Sequence, residues 1–382
     1  TDYSTIVGGE CNQIRTASAY YCDTHAFIGG GQSNCIYGSY SSITGGVQNI
    51  VCGEHSAIMN GNGSCILTDY STIGNGQTNI ICCNSSQSSI LGGGNNSINA
   101  NSYSSVILGG NSNLLCNSAY GLIGGGYGNC LLERCSSIVG GECNAICLGG
   151  TLSVIGGGLC NLLCNAAKSV IGGGEKNTAS CCYTALVGGF CNQVGGNSSF
   201  VGGGAYNCTI CDISVVSGGT FNISCGNNST IGGGGNNLIV AGNATISGGT
   251  ENCICSQYGS ILGGYKNIIE INSNASVING GCCNTINCCS PFSLIGGGNI
   301  NSSSSLYGYD TILGGQCNCV SGSGGYSVII NGFCNCACQF NTFIGNGNCN
   351  CTTANFASIS NGYCNKATAI YATILSGSCN LA

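Results

Sequence analysis

The sequence predicts an all-β protein: a single parallel β-solenoid, a β-roll or β-arch stack, of about 24 coils with 15–17 residues and two short strands in each. Three observations lead there. One phrase, seen in Ser136-Ser137-Ile138-Val139-Gly140-Gly141-Glu142-Cys143-Asn144-Ala145-Ile146-Cys147, returns 24 times, each copy anchored on an aliphatic residue, from Ile6 to Ile374. Of the 23 intervals between anchors, thirteen are 15 residues, seven are 17, two are 16 and one is 22. Helix-pair repeats need about 33 residues and leucine-rich repeats about 20, so these intervals are too short for either. Within each copy, apolar and polar residues alternate with the period of a strand. The unbroken period makes residues 1–382 one continuous solenoid without separate caps.

Each position of the coil has a physical reason. Two residues before the anchor stands a small residue, Ser in 15 copies, and the anchor itself must be buried because little else in the coil is apolar. Three residues after it every copy carries Gly, including Gly9, Gly141, Gly174 and Gly377. That places a corner there, with positive φ or with the next coil too close for a Cβ. Six residues after the anchor, 23 copies carry Asn, including Asn12, Asn144, Asn177 and Asn380, and the exception is Ser64. An Asn in every coil predicts a stacked ladder of side-chain amides. Eight residues after the anchor, 16 copies carry Ile, Val or Leu, which forms the inward column of the second strand. Longer intervals add residues before the next Ser, in a surface loop. The 22-residue first interval, through Tyr20, Tyr21 and Cys22, is expected to be a larger loop.

Composition removes several classes of function. Charged residues are 5% of the chain, the net charge is −6, and the six basic residues are scattered, so no stripe exists to neutralise phosphates and no nucleic-acid partner is expected. No run of 18 apolar residues occurs, so no membrane-inserted helix is expected. The start at Thr1 fits a mature secreted form. Paired carboxylates are absent, so no catalytic residues, small-molecule substrate or cofactor are expected and the chain reads as a non-enzyme. Ile6-Val7-Gly8-Gly9-Glu10-Cys11 looks like the activated start of a trypsin-like protease, but Ile138-Val139-Gly140-Gly141 is the same phrase and both are ordinary repeats. Gly232-Gly233-Gly234-Gly235 has no following helix to hold a phosphate. Asn228-Ser229-Thr230 and Asn243-Ala244-Thr245 are expected by chance in a chain this rich in Asn and Ser.

Cysteine says more. The chain has 35, a density met in disulfide scaffolds of oxidising compartments. No metal site is expected, because pairs such as Cys143 and Cys147 lack zinc-type spacing and His25 and His55 are the only histidines. Ten cysteines lie five residues after an anchor, eight lie seven after and eight lie nine after, all of outward parity in the second strand. Columns therefore form on one outer face. Cys317, Cys334, Cys349, Cys364 and Cys379 make one and Cys319, Cys336 and Cys351 a second, while Cys143 with Cys160 and Cys147 with Cys164 make shorter ones. Stacked Cα atoms about 4.8 Å apart fall within disulfide range, so these residues are the candidate cross-links, within a chain or between chains.

Ser169-Val170-Ile171-Gly172-Gly173-Gly174 resembles the Ser-x-Ala-Ile-Gly repeats in the heads of trimeric autotransporter adhesins, which are left-handed β-rolls of similar period but poor in Cys. The Cys-rich, Gly/Asn-rich composition is closer to that of the sheath proteins of filamentous methanogenic archaea, whose tubular sheaths are stacked hoops of β-structure. That resemblance implies a structural subunit of an extracellular sheath or fibre at the cell surface. Its partner would be itself, as a homopolymer joined end to end through uncapped coils and laterally by disulfides. The alternative is the binding module of a surface adhesin head or viral fibre.

Overall fold

The computed structural model describes residues 3–15, 25–322 and 324–382. The expected loop through Tyr20, Tyr21 and Cys22 lies outside the described residues. Among them the regular elements are 47 β-strands and no helix. Strands carrying the anchor, such as Ser137–Ile138, alternate with strands carrying the second aliphatic column, such as Ala145–Ile146. Within each unit these strands pair in parallel with their equivalents in neighbouring coils. Ser137 and Ile138 face Leu122 and Ile123 on one side and Val154 and Ile155 on the other. This is a parallel β-solenoid with two strands per turn. A third contact, one residue wide, falls four residues after the anchor, as in Tyr127↔Glu142↔Leu159.

The chain divides into two units, residues 1–192 and 193–382. In the first, anchors from Ile28 to Ile171 are fully buried and face a second column that is aliphatic from Ile36 to Leu163. In the second unit the anchors remain aliphatic, but the facing column is diluted by Thr209, Ser224, Ser303, Ala337, Thr352 and Ala367, all buried. Its interior is thus smaller and more polar, and the buried hydroxyls of Thr209 and Thr352 have no hydrogen-bond partner among the described residues.

Two internal ladders hold the coils in register. Asn144 shows the first: its backbone N–H donates to Asn129 Oδ1 (3.0 Å), and its Nδ2 donates to the same oxygen (3.2 Å), to Gly140 O (3.1 Å) and to Gly158 O (2.9 Å). Asn12, Asn177 and Asn380 occupy the same rung. The second ladder belongs to the small residue before the anchor. Ser136 Oγ donates to Arg134 O (3.1 Å) and Gly150 O (2.9 Å) and accepts from the Ser153 N–H (3.1 Å). Both rungs are buried, so each replaces bonds to water that folding removes.

The turn glycine completes the Asn rung. Gly141 has φ +88°, and a Cβ there would stand 2.2 Å from Gly158 O and 2.6 Å from Asn144 Nδ2. Gly9, Gly174 and Gly377 share the positive φ. Two residues later comes a correction to the sequence reading. The position five after the anchor is not the outward face of a strand: it has left-handed φ in every coil, 54° at Cys143 and 56° at Cys317. The second strand begins only two residues further on, at Ala145 or Cys319. A corner at the glycine and a second corner at this residue together reverse the chain, and parity counting could not see the second one.

Candidate functional site

The chemistry-bearing side chains of this solenoid are its cysteines, and the coil distributes most of them over three columns. Cys143, Cys160, Cys317, Cys334, Cys349, Cys364 and Cys379 stand on the left-handed corner, exposed or half-exposed. Cys319, Cys336 and Cys351 stand seven residues after their anchors on the outward side of the second strand, in direct register. Cys147 and Cys164 stand nine after, just past that strand, half-buried. Every expected pair is brought onto adjacent coils, as unjoined thiols. Burial and then the neighbouring Cys164 push the Cys147 thiol up, as burial and then Cys317 and Cys349 do for Cys334.

Stacking decides what these columns can do. The next coil is a translated copy, so Cβ atoms in a column are separated like Cα atoms, by about 4.8 Å. A disulfide needs Cβ atoms about 3.5 to 4.5 Å apart. A bond along a column therefore requires two coils to close locally, against their hydrogen bonds. The corner thiols stand outside the strands, exposed or half-exposed.

One group is denser than a column. Cys336 and Cys338 flank Ala337, which is fully buried, so both thiols emerge on the outer face. Their sulfurs are 3.0 Å apart, and Cys338 Sγ lies 4.0 Å from Cys351 Sγ on the next coil. On the preceding coil, a hydrogen bond from Cys336 holds the Cys319 thiol down at about 7, against the burial that opposes it. Cys336 is raised by donating that bond, but bonds from Cys338 and Cys351 outweigh this and leave it low. Cys338 and Cys351 are raised, each first by its bond to Cys336.

Two features escaped the sequence reading. The cluster did, because Cys338 stands outside the column of Cys319, Cys336 and Cys351 and only the side-chain positions bring it to them; the signal was Cys334-Asn335-Cys336-Ala337-Cys338 one period from Cys349-Asn350-Cys351. An aromatic column three residues before the anchor did too. In the first unit the rings of His25, Tyr40, His55 and Tyr70 stack at centroid distances of 4.7, 4.9 and 5.0 Å, and Tyr3 lies 5.1 Å from His25, tilted by 34°. In the second, Phe292, Tyr309 and Tyr326 stack at 4.8 Å. No protein-family model matches this chain and no curated protein matches it, so a functional assignment rests on this geometry alone.

Proposed function

We propose that this protein is a structural subunit of an extracellular sheath or fibre, self-associating through its β-stack and cross-linked laterally by disulfides. The observation that carries the reading is the column of corner cysteines, Cys317, Cys334, Cys349, Cys364 and Cys379, repeated at the coil spacing on a scaffold of uniform register. Such a column meets an identical column on a second molecule at many points at once, so weak single contacts add up. Coil-on-coil contact is also self-complementary. A coil presents to its neighbour the edge that the neighbour presents to the next, and a coil of another copy offers the same ladder.

A second reading is favoured by the stacked rings from His25 to Tyr70, of which Tyr70 is 59% exposed: an adhesin head or viral fibre would use such a ladder to hold a ligand. One experiment separates the two. Native material is imaged by electron microscopy and its peptides are mapped without reduction. Inter-chain disulfides at the corner column, with extended assemblies that loosen under reductant, are expected. Chiefly free, alkylatable thiols at those five positions and a monodisperse monomer at high concentration would sink the structural reading.

A further inference from the structure

We propose that Cys336, Cys338 and Cys351 form a binding site for a soft, thiophilic d10 cation of the zinc(II), cadmium(II) or copper(I) class. The three sulfurs all lie within 4.8 Å of one another. In a tetrahedral thiolate site with bonds of about 2.3 Å, neighbouring sulfurs stand about 3.8 Å apart. The 3.0 and 4.0 Å separations bracket that edge, so rotation about the Cys side chains suffices and the backbone stays still.

The scaffold holds the site ready. Cys336 N–H donates to Asn350 O (2.8 Å) and Cys338 N–H to Thr352 O (2.9 Å), which locks the two coils together where the thiols emerge. Register places Cys319 on the far side of Cys336 from Cys351. The donor set decides the class of ion. It is all sulfur, with no imidazole or carboxylate in the group, and sulfur selects soft d10 ions over magnesium, calcium or manganese. Half-burial limits competition from water. Binding moves no electrons: each ligand thiol releases its proton to solvent as its sulfur bonds the ion, so one divalent cation on three thiols frees three protons.

The site does not depend on the assembly role and has a consequence for it. A bound ion withdraws these thiols from disulfide exchange and leaves the corner column to carry the cross-links. Other dense pairs, Cys253 with Cys255 (3.7 Å) and Cys288 with Cys289 (2.9 Å), offer two sulfurs each and bind more weakly.

The reduced full-length chain is titrated anaerobically with cadmium chloride against a competing chelator, following the sulfur-to-cadmium charge-transfer absorption, proton release and iodoacetamide protection of each cysteine. The first equivalent is expected to protect Cys336, Cys338 and Cys351 together while Cys253 and Cys255 stay alkylatable. Cys338→Ser should lose that first tight equivalent, and the Cys253→Ser/Cys255→Ser double variant should keep it. Protection in the wild-type chain decides the matter even where a variant folds poorly. A first equivalent spread evenly over the thiols, or taken first by Cys253 and Cys255, overturns the proposal, as does a folded Cys338→Ser chain that binds as tightly as wild type.

Discussion

Among the rungs that depart from the internal ladders, Ser64 in the first unit and Asp310 in the second are accommodated in different ways. In the first unit Ser64 stands on the Asn rung. Its N–H still donates to Asn49 Oδ1 (3.1 Å) and its Oγ accepts from Asn79 N–H (3.3 Å), but it has no carboxamide to reach the turn carbonyls. Gly61 is the one turn glycine outside the left-handed region, and the anchor strand runs on through the corner as Ala57–Asn62, between Ser42–Val47 and Thr72–Gln77. In the second unit Asp310 stands on the Ser rung, fully buried. Side chains answer it: Ser303 Oγ donates to Asp310 Oδ2 (3.1 Å), Ser305 Oγ donates to the same oxygen, and Ser327 N–H donates to Oδ1 (3.3 Å). Ser303 occupies what is an aliphatic position in most coils, and strands Ser302–Ser305 and Cys319–Gly322 lengthen beside it. A missing neutral donor is absorbed by the backbone. A buried charge demands new partners, and apolar core is given up to supply them.

The same two stretches hold cysteines in equivalent positions with opposite properties, which gives the largest expected effect. Cys65 and Cys319 both stand seven residues after an anchor. Burial, then Cys52 and Cys82, pushes Cys65 up to about 11, whereas the bond from Cys336 brings Cys319 to about 7. Only the thiolate is alkylated, so at pH 7 the thiolate fraction of Cys319 exceeds that of Cys65 roughly 5,000-fold, and its lower nucleophilicity brings the expected ratio of rates in the reduced chain to about a hundredfold. Peptide mass spectrometry over a time course with iodoacetamide reads the ratio. Equal rates would mean that position in the coil, not the neighbouring thiols, sets reactivity. Cys336→Ser sharpens the comparison, since it should move Cys319 towards Cys65.

How much of this was legible in the sequence follows from what a repeat can encode. Columns at fixed offsets report what stacks on what, so the solenoid class, the buried anchors and the Asn rung could be read from Ile138, Gly141, Asn144 and Ile146 alone. Offsets do not report the path between columns. The left-handed corner at Cys143 is occupied by Ser, Gln, Lys, Phe and Cys in different coils, so no residue type marks it. Clusters that cross columns were hidden as well. Cys338 belongs to a different column from Cys336 and Cys351, and only the side-chain positions bring it within reach of both.

Next in size is the turn glycine, where the irregular coil is the control. At Gly174, with φ +88°, a Cβ would meet Gly189 O at 2.2 Å, and both are backbone positions with nowhere to go. Gly174→Val should cost more than about 3 kcal/mol, combining strain at a special φ with a backbone clash. Its neighbour Glu175→Val should stay within about 0.5 kcal/mol, as a surface change. At Gly61 a Cβ meets the side-chain atoms Asn49 Oδ1 at 2.6 Å and Ser64 Oγ at 3.0 Å, with φ outside the left-handed region. Gly61→Ala should therefore cost less than Gly174→Ala. Denaturant midpoints of the four variants test this, and an equal cost for the two alanines would show that the corner at Gly61 is as strained as the others.

The smallest effect concerns the charge on the other broken rung, and it carries a sign in pH. Burial raises the Asp310 carboxyl above its ordinary 3.8, and the bonds from Ser305, Ser327 and Ser303 offset this only in part. A carboxyl raised on folding binds its proton more tightly in the native chain than in the unfolded one, so native stability falls as pH rises through the interval between the two values. Below 3.8 both states are protonated and the penalty vanishes; above the raised value it is complete. Asp310→Asn keeps the shape and the acceptor oxygen facing Ser327 while removing the charge, and the Ser303 and Ser305 hydroxyls can turn to accept from its amide. The variant should be more stable than wild type at pH 7 by about 1 kcal/mol, the scale on which removing a poorly solvated charge acts. That advantage should shrink to nothing by pH 3. Denaturant midpoints of both chains at the two pH values measure it. An advantage equally large at pH 3 would show that packing rather than charge is the cost of Asp310, and a loss at pH 7 would show that its three serine bonds more than repay its burial.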